Sequence, residues 1–150
     1  VSSSIRRYYQ PASTLTQVDL VNQRRGRNDC GQPGPGADPN RCNQADTTWQ
    51  VIQGLGHLAE FQSNSVSYAN LRGQLAQGRP VFVRIAWDGG GAHATVAAGV
   101  EDGEFVVMCD PGSSSAADPN LGTTTVVAYD TLLSDYNGSG NWVGTGYTQP

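Results

Sequence analysis

Two residues in the second half of the chain have the types and spacing that proton-transfer chemistry requires, His93 and Asp110. His93 lies in Gly89-Gly90-Gly91-Ala92-His93-Ala94, between the end of one apolar run and the start of the next. Three glycines let the backbone turn sharply and leave space beside an imidazole, although a hairpin with a solvent-facing histidine would carry the same residues. Asp110 follows Val106-Val107-Met108-Cys109 and precedes Pro111-Gly112, which also fits an aspartate that initiates a turn. Neighbouring antiparallel strands joined through 99–103 would put His93 near the start of one and Asp110 near the end of the other, side by side. A carboxylate bonded to one ring nitrogen fixes the tautomer and steadies the imidazolium, while the other nitrogen faces a nucleophile.

The chain has three cysteines to offer as that nucleophile. Cys109 adjoins Asp110 on an expected strand, so its side chain should point to the opposite face and act as a small core residue. Cys30 and Cys42 bracket a segment rich in Gly, Pro, Asp and Asn, and a disulfide between them would pin a loop of little apolar content. A metal site using Cys30, Cys42 and His57 is the alternative, but the spacing matches no zinc pattern. His57, after Gly56 and before Leu58-Ala59-Glu60-Phe61, reads as a hydrogen-bonded structural residue at an element boundary. Trp142 reads as core. The triglycine has neither the lysine nor the following helix that phosphate binding would need.

The elements that must position these residues follow from periodicity and punctuation. Ile5, Tyr8 and Tyr9 fall at helical spacing and Pro11 blocks continuation, so a helix ends near Tyr9. Thr14 can cap a second helix through Leu15, Val18, Leu20 and Val21 to Gly26, with Arg24 and Arg25 at its negative end. Asp46 can cap a short helix bearing Trp49, Val51 and Ile52, and Ser67 another bearing Leu71 and Leu75 and ended by Gly78. Beyond Gly78 the pattern turns to β: Pro80 to Trp87, Ala92 to Val100, Glu104 to Cys109, Thr123 to Tyr129 and Asn141 to Thr148. Helices first and strands second predict an α+β fold in which an N-terminal helical layer packs on a C-terminal antiparallel sheet. At 150 residues, with no internal repeat and no long linker, residues 1–150 are expected to form a single domain.

Composition narrows the partners. Net charge is −4, and the nine basic residues are all Arg and scattered except around Arg24, Arg25 and Arg27. A nucleic-acid-binding surface would normally bring a basic balance, so no nucleic-acid partner is expected. No run approaches the roughly 18 apolar residues of a membrane span, and no signal-peptide pattern opens the chain, which fits a soluble, already processed product.

The run Gly78-Arg79-Pro80-Val81, then Ile85-Ala86-Trp87, Gly90-Gly91-Ala92-His93 and Asp110-Pro111, resembles the C-terminal half of bacterial papain-like cysteine peptidases, including the branch related to bacteriocin-processing peptidases. Tyr8-Tyr9, Pro11-Ala12-Ser13-Thr14, Thr16-Gln17, Val21-Asn22 and Cys42-Asn43 resemble the same family's segment just after its first helix. The resemblance implies a papain-like fold with a cleft between its halves, thiol-dependent hydrolysis of a peptide or protein substrate, and no cofactor. It makes His93 the general base and Asp110 its orienting residue, with Trp87, Gly90 and Gly91 along the substrate cleft. Relatives carry a second cysteine pair where this chain has Val18 and Gly31; the joint absence supports a bridge between Cys30 and Cys42, and with it an oxidising, secreted setting.

The family's nucleophile opens the first helix, where dipole and free N–H groups favour thiolate, in a Cys-Trp-Ala-Ala-like stretch preceded by an oxyanion-hole glutamine. Neither is present here, and Val1-Ser2-Ser3-Ser4-Ile5 aligns just past that stretch. The register puts Ser2, Ser3 and Ser4 beyond the site. Three explanations stand: a cut that leaves the cysteine on a separate N-terminal segment, an incomplete sequence, or a relative that has lost its nucleophile and serves as a peptide- or protein-binding module.

Overall fold

The computed structural model of the protein describes residues 1–31, 42, 46–114 and 122–150. Its backbone contacts gather into two compact units, Ser2–His57 with Pro150, and Leu58–Gln149 with Val1. Among the described residues five helices and six strands make an α+β fold, three of the helices preceding the first strand. No helix among them is long and apolar enough to cross a membrane.

The first unit holds three helices, α1 (Ser2–Tyr9), α2 (Gln17–Arg25) and α3 (Thr48–Gly54). In α1 Ile5 is buried, and Tyr9 stacks on His57 with ring centroids 5.3 Å apart. That stacking, with only 2% of His57 exposed, fits the structural role expected of this histidine. Helix α2 starts two residues later than the Thr14 reading: Thr16 caps it, its hydroxyl accepting from Asp19 N–H while the Asp19 carboxylate accepts from Thr16 N–H. This reciprocal box satisfies two orphan donors at once. Gly26 closes the helix in the left-handed region at φ 61°. The expected Asp46 cap is displaced by one residue to Thr47, because the Asp46 carboxylate is taken by Arg24 at 3.2 Å and by the Thr47 N–H at 2.7 Å. Cys30 and Cys42 form the expected disulfide, while most of the loop between them lies outside the described residues. A Cβ built on Gly31 falls 3.7 Å from Val18 Cβ, a separation at which disulfides form.

The second unit is an antiparallel sheet in the order β1-β6-β2-β3-β4-β5. Its strands are β1 (Leu58–Gln62), β2 (Val81–Trp87), β3 (Ala92–Glu101), β4 (Phe105–Ser114), β5 (Gly122–Ala128) and β6 (Gly140–Thr148). Four of them match the expected runs to within two residues, and β4 extends five residues past Cys109. Edge strand β1 was not anticipated; it pairs with β6 from Leu58↔Thr148 to Gln62↔Thr145. One face of the sheet is covered by α4 (Tyr68–Leu75), capped by Ser67 as expected, and by α5 (Tyr129–Ser134), which the β reading of Tyr129 missed. Leu71 and Leu132 from these helices join Val81, Val83, Ile85, Ala97, Val106, Met108, Tyr136 and Trp142 in one buried cluster. Trp142 is thus core, its indole N–H donating to Gly144 C=O at 2.9 Å.

The Val18–Gly31 geometry makes a prediction. The Val18→Cys/Gly31→Cys protein should lie four hydrogens below its fully reduced mass, two for each bridge, where the native protein lies two below, by intact mass spectrometry without reductant. Closing that loop stabilises by about 3 kcal/mol, offset by roughly 1 kcal/mol because residue 31 sits at positive φ. Two titratable thiols at these positions in the unfolded, unreduced protein would contradict the geometry.

Candidate active site

His93 and Asp110 meet. In the β3–β4 pairing Val96 faces Cys109, so His93 and Gly112 each lie three residues beyond that pair, and Asp110 sits diagonally from His93 on the same face. His93 Nε2 is 2.6 Å from Asp110 Oδ1. The carboxylate is almost wholly buried, with 1% of its side chain exposed against 19% for the imidazole. An ionised carboxylate only accepts, so Nε2 carries the proton and Nδ1 is left with its lone pair for another partner.

Asp110 accepts from two further donors. Gly112 N–H donates to Oδ1 at 2.7 Å, and the Tyr136 phenol donates to Oδ2 at 2.6 Å. Burial alone would raise the Asp110 pKa; the bonds from His93, Tyr136 and Gly112 and the attraction of His93 outweigh it and hold the carboxyl at about 2. The Tyr136 phenol shifts the other way, its pKa raised first by burial and then by the carboxylate it serves, so it keeps its proton and remains a donor.

The strand does not end at Asp110 as its Pro111-Gly112 sequel suggested. β4 runs on to Ser114, and the register against β5 shifts between Asp110 and Ser114, an irregularity of the kind that re-aims side chains. Two glycines make it fit. A Cβ on Gly122 would lie 2.5 Å from Asp110 C=O oxygen, and a Cβ on Gly112 would lie 2.6 Å from His93 Cε1. Gly112, rather than the triglycine, is therefore the residue whose bare α-carbon makes room for the imidazole. Gly90 and Gly91 have φ of 91° and 87° and build the hairpin between β2 and β3, where Gly90 N–H donates to Trp87 C=O at 2.9 Å. A Cβ on Gly90 would meet nothing within 4 Å, and one on Gly91 only Trp87 at 3.9 Å.

Trp87, at the end of β2, stacks on the His93 ring at 5.8 Å and on Tyr136 at 6.5 Å. Its loop is tied down by Asn141, whose amide donates to Asp88 Oδ1 at 2.7 Å. Cys109 lies on the face opposite Asp110, as alternation requires, but it is an exposed free thiol and not the core residue expected. It faces Thr124 of edge strand β5, itself exposed. Cys30 and Cys42 are consumed by their bridge, and no group of three or more potential metal ligands occurs among the described residues.

His93 and Asp110 meet as expected and Trp87 stacks beside them, while Tyr136 and Gly112 join the pair without a signal in the sequence that singles them out. Tyr136 precedes Asn137-Gly138, a turn signal that places it at the mouth of a tight hairpin, but nothing local shows where its hydroxyl goes.

A family model described as the papain-like cysteine protease AvrRpt2 matches residues 2–125, a stretch that contains His93 and Asp110. No curated protein matches the chain. Among solved structures, the Pseudomonas avirulence protein AvrPphB matches with 18% identity and a TM-score of 0.33, over 69% of this chain and 59% of that one. The chain thus spans less than two thirds of that protein's length.

The Asp110 environment carries a pH signature. A carboxyl held at about 2 when folded, against 3.8 ordinarily, adds stability that is complete above pH 4 and disappears as pH falls through 2. The advantage of the native protein over Asp110→Asn in denaturant titrations should therefore shrink by about 2 kcal/mol between pH 4 and pH 2. Parallel stability curves over that range would contradict it.

Proposed function

Because the chain belongs to the AvrRpt2 family of papain-like cysteine proteases, we propose that it is the base-bearing part of a cysteine peptidase, with His93 as general base and Asp110 as its orienting residue. The observation that carries this reading is the 2.6 Å bond between a part-exposed imidazole and a buried, ionised carboxylate. A structural histidine has no need of an anion kept charged at such cost; a base that must become imidazolium during turnover does.

The nucleophile in this proposal is a cysteine outside residues 1–150, carried on a segment N-terminal to Val1. The fates of the chain's own cysteines support that assignment: two are bridged, and the third faces away from Asp110. In the reaction the thiol gives its proton to His93 Nδ1 and the thiolate sulfur bonds to the substrate carbonyl carbon. The imidazolium returns that proton to the leaving amine as the C–N bond breaks. Water, deprotonated by the same nitrogen, then cleaves the thioester and regenerates the thiol. Throughout, Nε2–H stays on Asp110. Both compact units belong to this one catalytic domain, and Trp87, Gly90 and Gly91 border the bound peptide. The Cys30–Cys42 bridge supports a secreted protein working in an oxidising compartment.

The test uses the protein expressed with its upstream segment and a thiol-directed epoxide as probe. One upstream cysteine should be labelled at neutral pH, and His93→Ala should slow labelling by roughly 10²- to 10⁴-fold. Labelling indifferent to His93 would sink the assignment, and absence of any upstream cysteine would make the chain a binding module. Gly112→Ala, which pushes a methyl into the imidazole, should cost about a hundredfold in the same assay while leaving the sheet folded by circular dichroism. An unaltered rate would show that the ring's place is set elsewhere.

A further inference from the structure

We propose that Tyr136 is a positioning residue for the His93–Asp110 pair: its phenol holds Asp110 Oδ2 so that Oδ1 is presented to the imidazole. This inference rests on the reading of His93 as the base, and it adds a third residue that acts through the second.

Three observations carry it. First, the phenol is 1% exposed and its donation to Oδ2 at 2.6 Å is as short as the His93 bond on the other oxygen. A carboxylate gripped on Oδ1 alone could still turn about its Cβ–Cγ bond; gripping both oxygens from different strands and turns leaves one orientation. Second, the backbone of Tyr136 is fixed independently of Asp110. Tyr136 N–H donates to Gly140 C=O and Gly140 N–H donates back, both at 2.9 Å, closing a three-residue turn in which Asn137 and Gly138 have φ of 52° and 86°. Third, the same turn fixes the lateral position of the imidazole. Gly140 has no room for a Cβ, which would lie 2.7 Å from the Trp87 ring and 2.8 Å from Tyr136 C=O oxygen, and Trp87 in turn stacks on both Tyr136 and His93. Tyr136 thus reaches the base by two routes, through Asp110 and through Trp87.

A tyrosine kept only to fill the core would tolerate loss of its hydroxyl without any change at His93. The experiment is ¹⁵N-resolved NMR of the His93 ring in the intact chain. The native protein should show a far-downfield Nε2–H resonance bonded to Asp110. In Tyr136→Phe that proton should exchange with solvent at least tenfold faster, the factor that losing one hydrogen bond to a charged group implies. Replacing Tyr136 by 3-fluorotyrosine keeps size and fold but strengthens the donor; by drawing charge toward Oδ2 it should move the Nε2–H resonance upfield. An unchanged exchange rate in Tyr136→Phe, or an unmoved resonance in the fluorinated protein, overturns the proposal. Should Tyr136→Phe fail to fold, the fluorinated protein decides alone. Neither readout needs a thiol or a substrate, so an inactive peptidase would defeat the functional reading and leave this one intact.

Discussion

A buried negative charge organises the sheet unit. Asp110 has given up water almost entirely, and an ion in that position is tolerable only if each oxygen finds donors. His93, Gly112 and Tyr136 supply them. Each donor comes from a different piece of chain, β3, the irregular end of β4 and the turn before β6. Satisfying one carboxylate therefore brings three segments to a common point. The resulting low pKa is the thermodynamic record of that arrangement.

Backbone features make the convergence sterically possible. The register shift after Asp110 turns the Gly112 N–H back onto the carboxylate, and Gly112 and Gly122 remove the atoms that would otherwise collide with the imidazole and with the strand itself. Trp87 closes the open side of the His93 ring, at the end of a hairpin whose two positive-φ glycines let β2 and β3 reverse direction next to the site. The imidazole keeps some exposure while the carboxylate keeps almost none. This division suits a base whose one nitrogen is held and whose other nitrogen works.

Much of this was legible in the residues. Alternation and turn glycines marked four of the six strands closely, and antiparallel pairing of the 92–100 and 104–109 runs was enough to bring His93 and Asp110 together. What escaped depended on tertiary context. β1 is a short, half-exposed edge strand with little alternation of its own, held by pairing to β6. α5 has six residues, too few to be stable alone, and persists because Leu132 is buried against the sheet. The helix starts at the Thr16–Asp19 box although Thr14–Gln17 has the same spacing, so the sequence offers both starts. Cys109 was assigned to the core on residue type, which does not record whether anything covers its face of the sheet. Tyr136 and Gly112 answer to a carboxylate 26 and 2 residues away, and neither relation has a local pattern.

In the proposed peptidase, Nε2 of His93 is committed to Asp110 and Nδ1 does the chemistry. The most direct measurement is a crystal structure of the protein carrying its upstream segment, trapped with a peptide aldehyde as a thiohemiacetal. The adduct sulfur should lie within about 3.5 Å of His93 Nδ1, with Nε2 still on Asp110 Oδ1. A sulfur facing Nε2, or an adduct remote from His93 altogether, would contradict it.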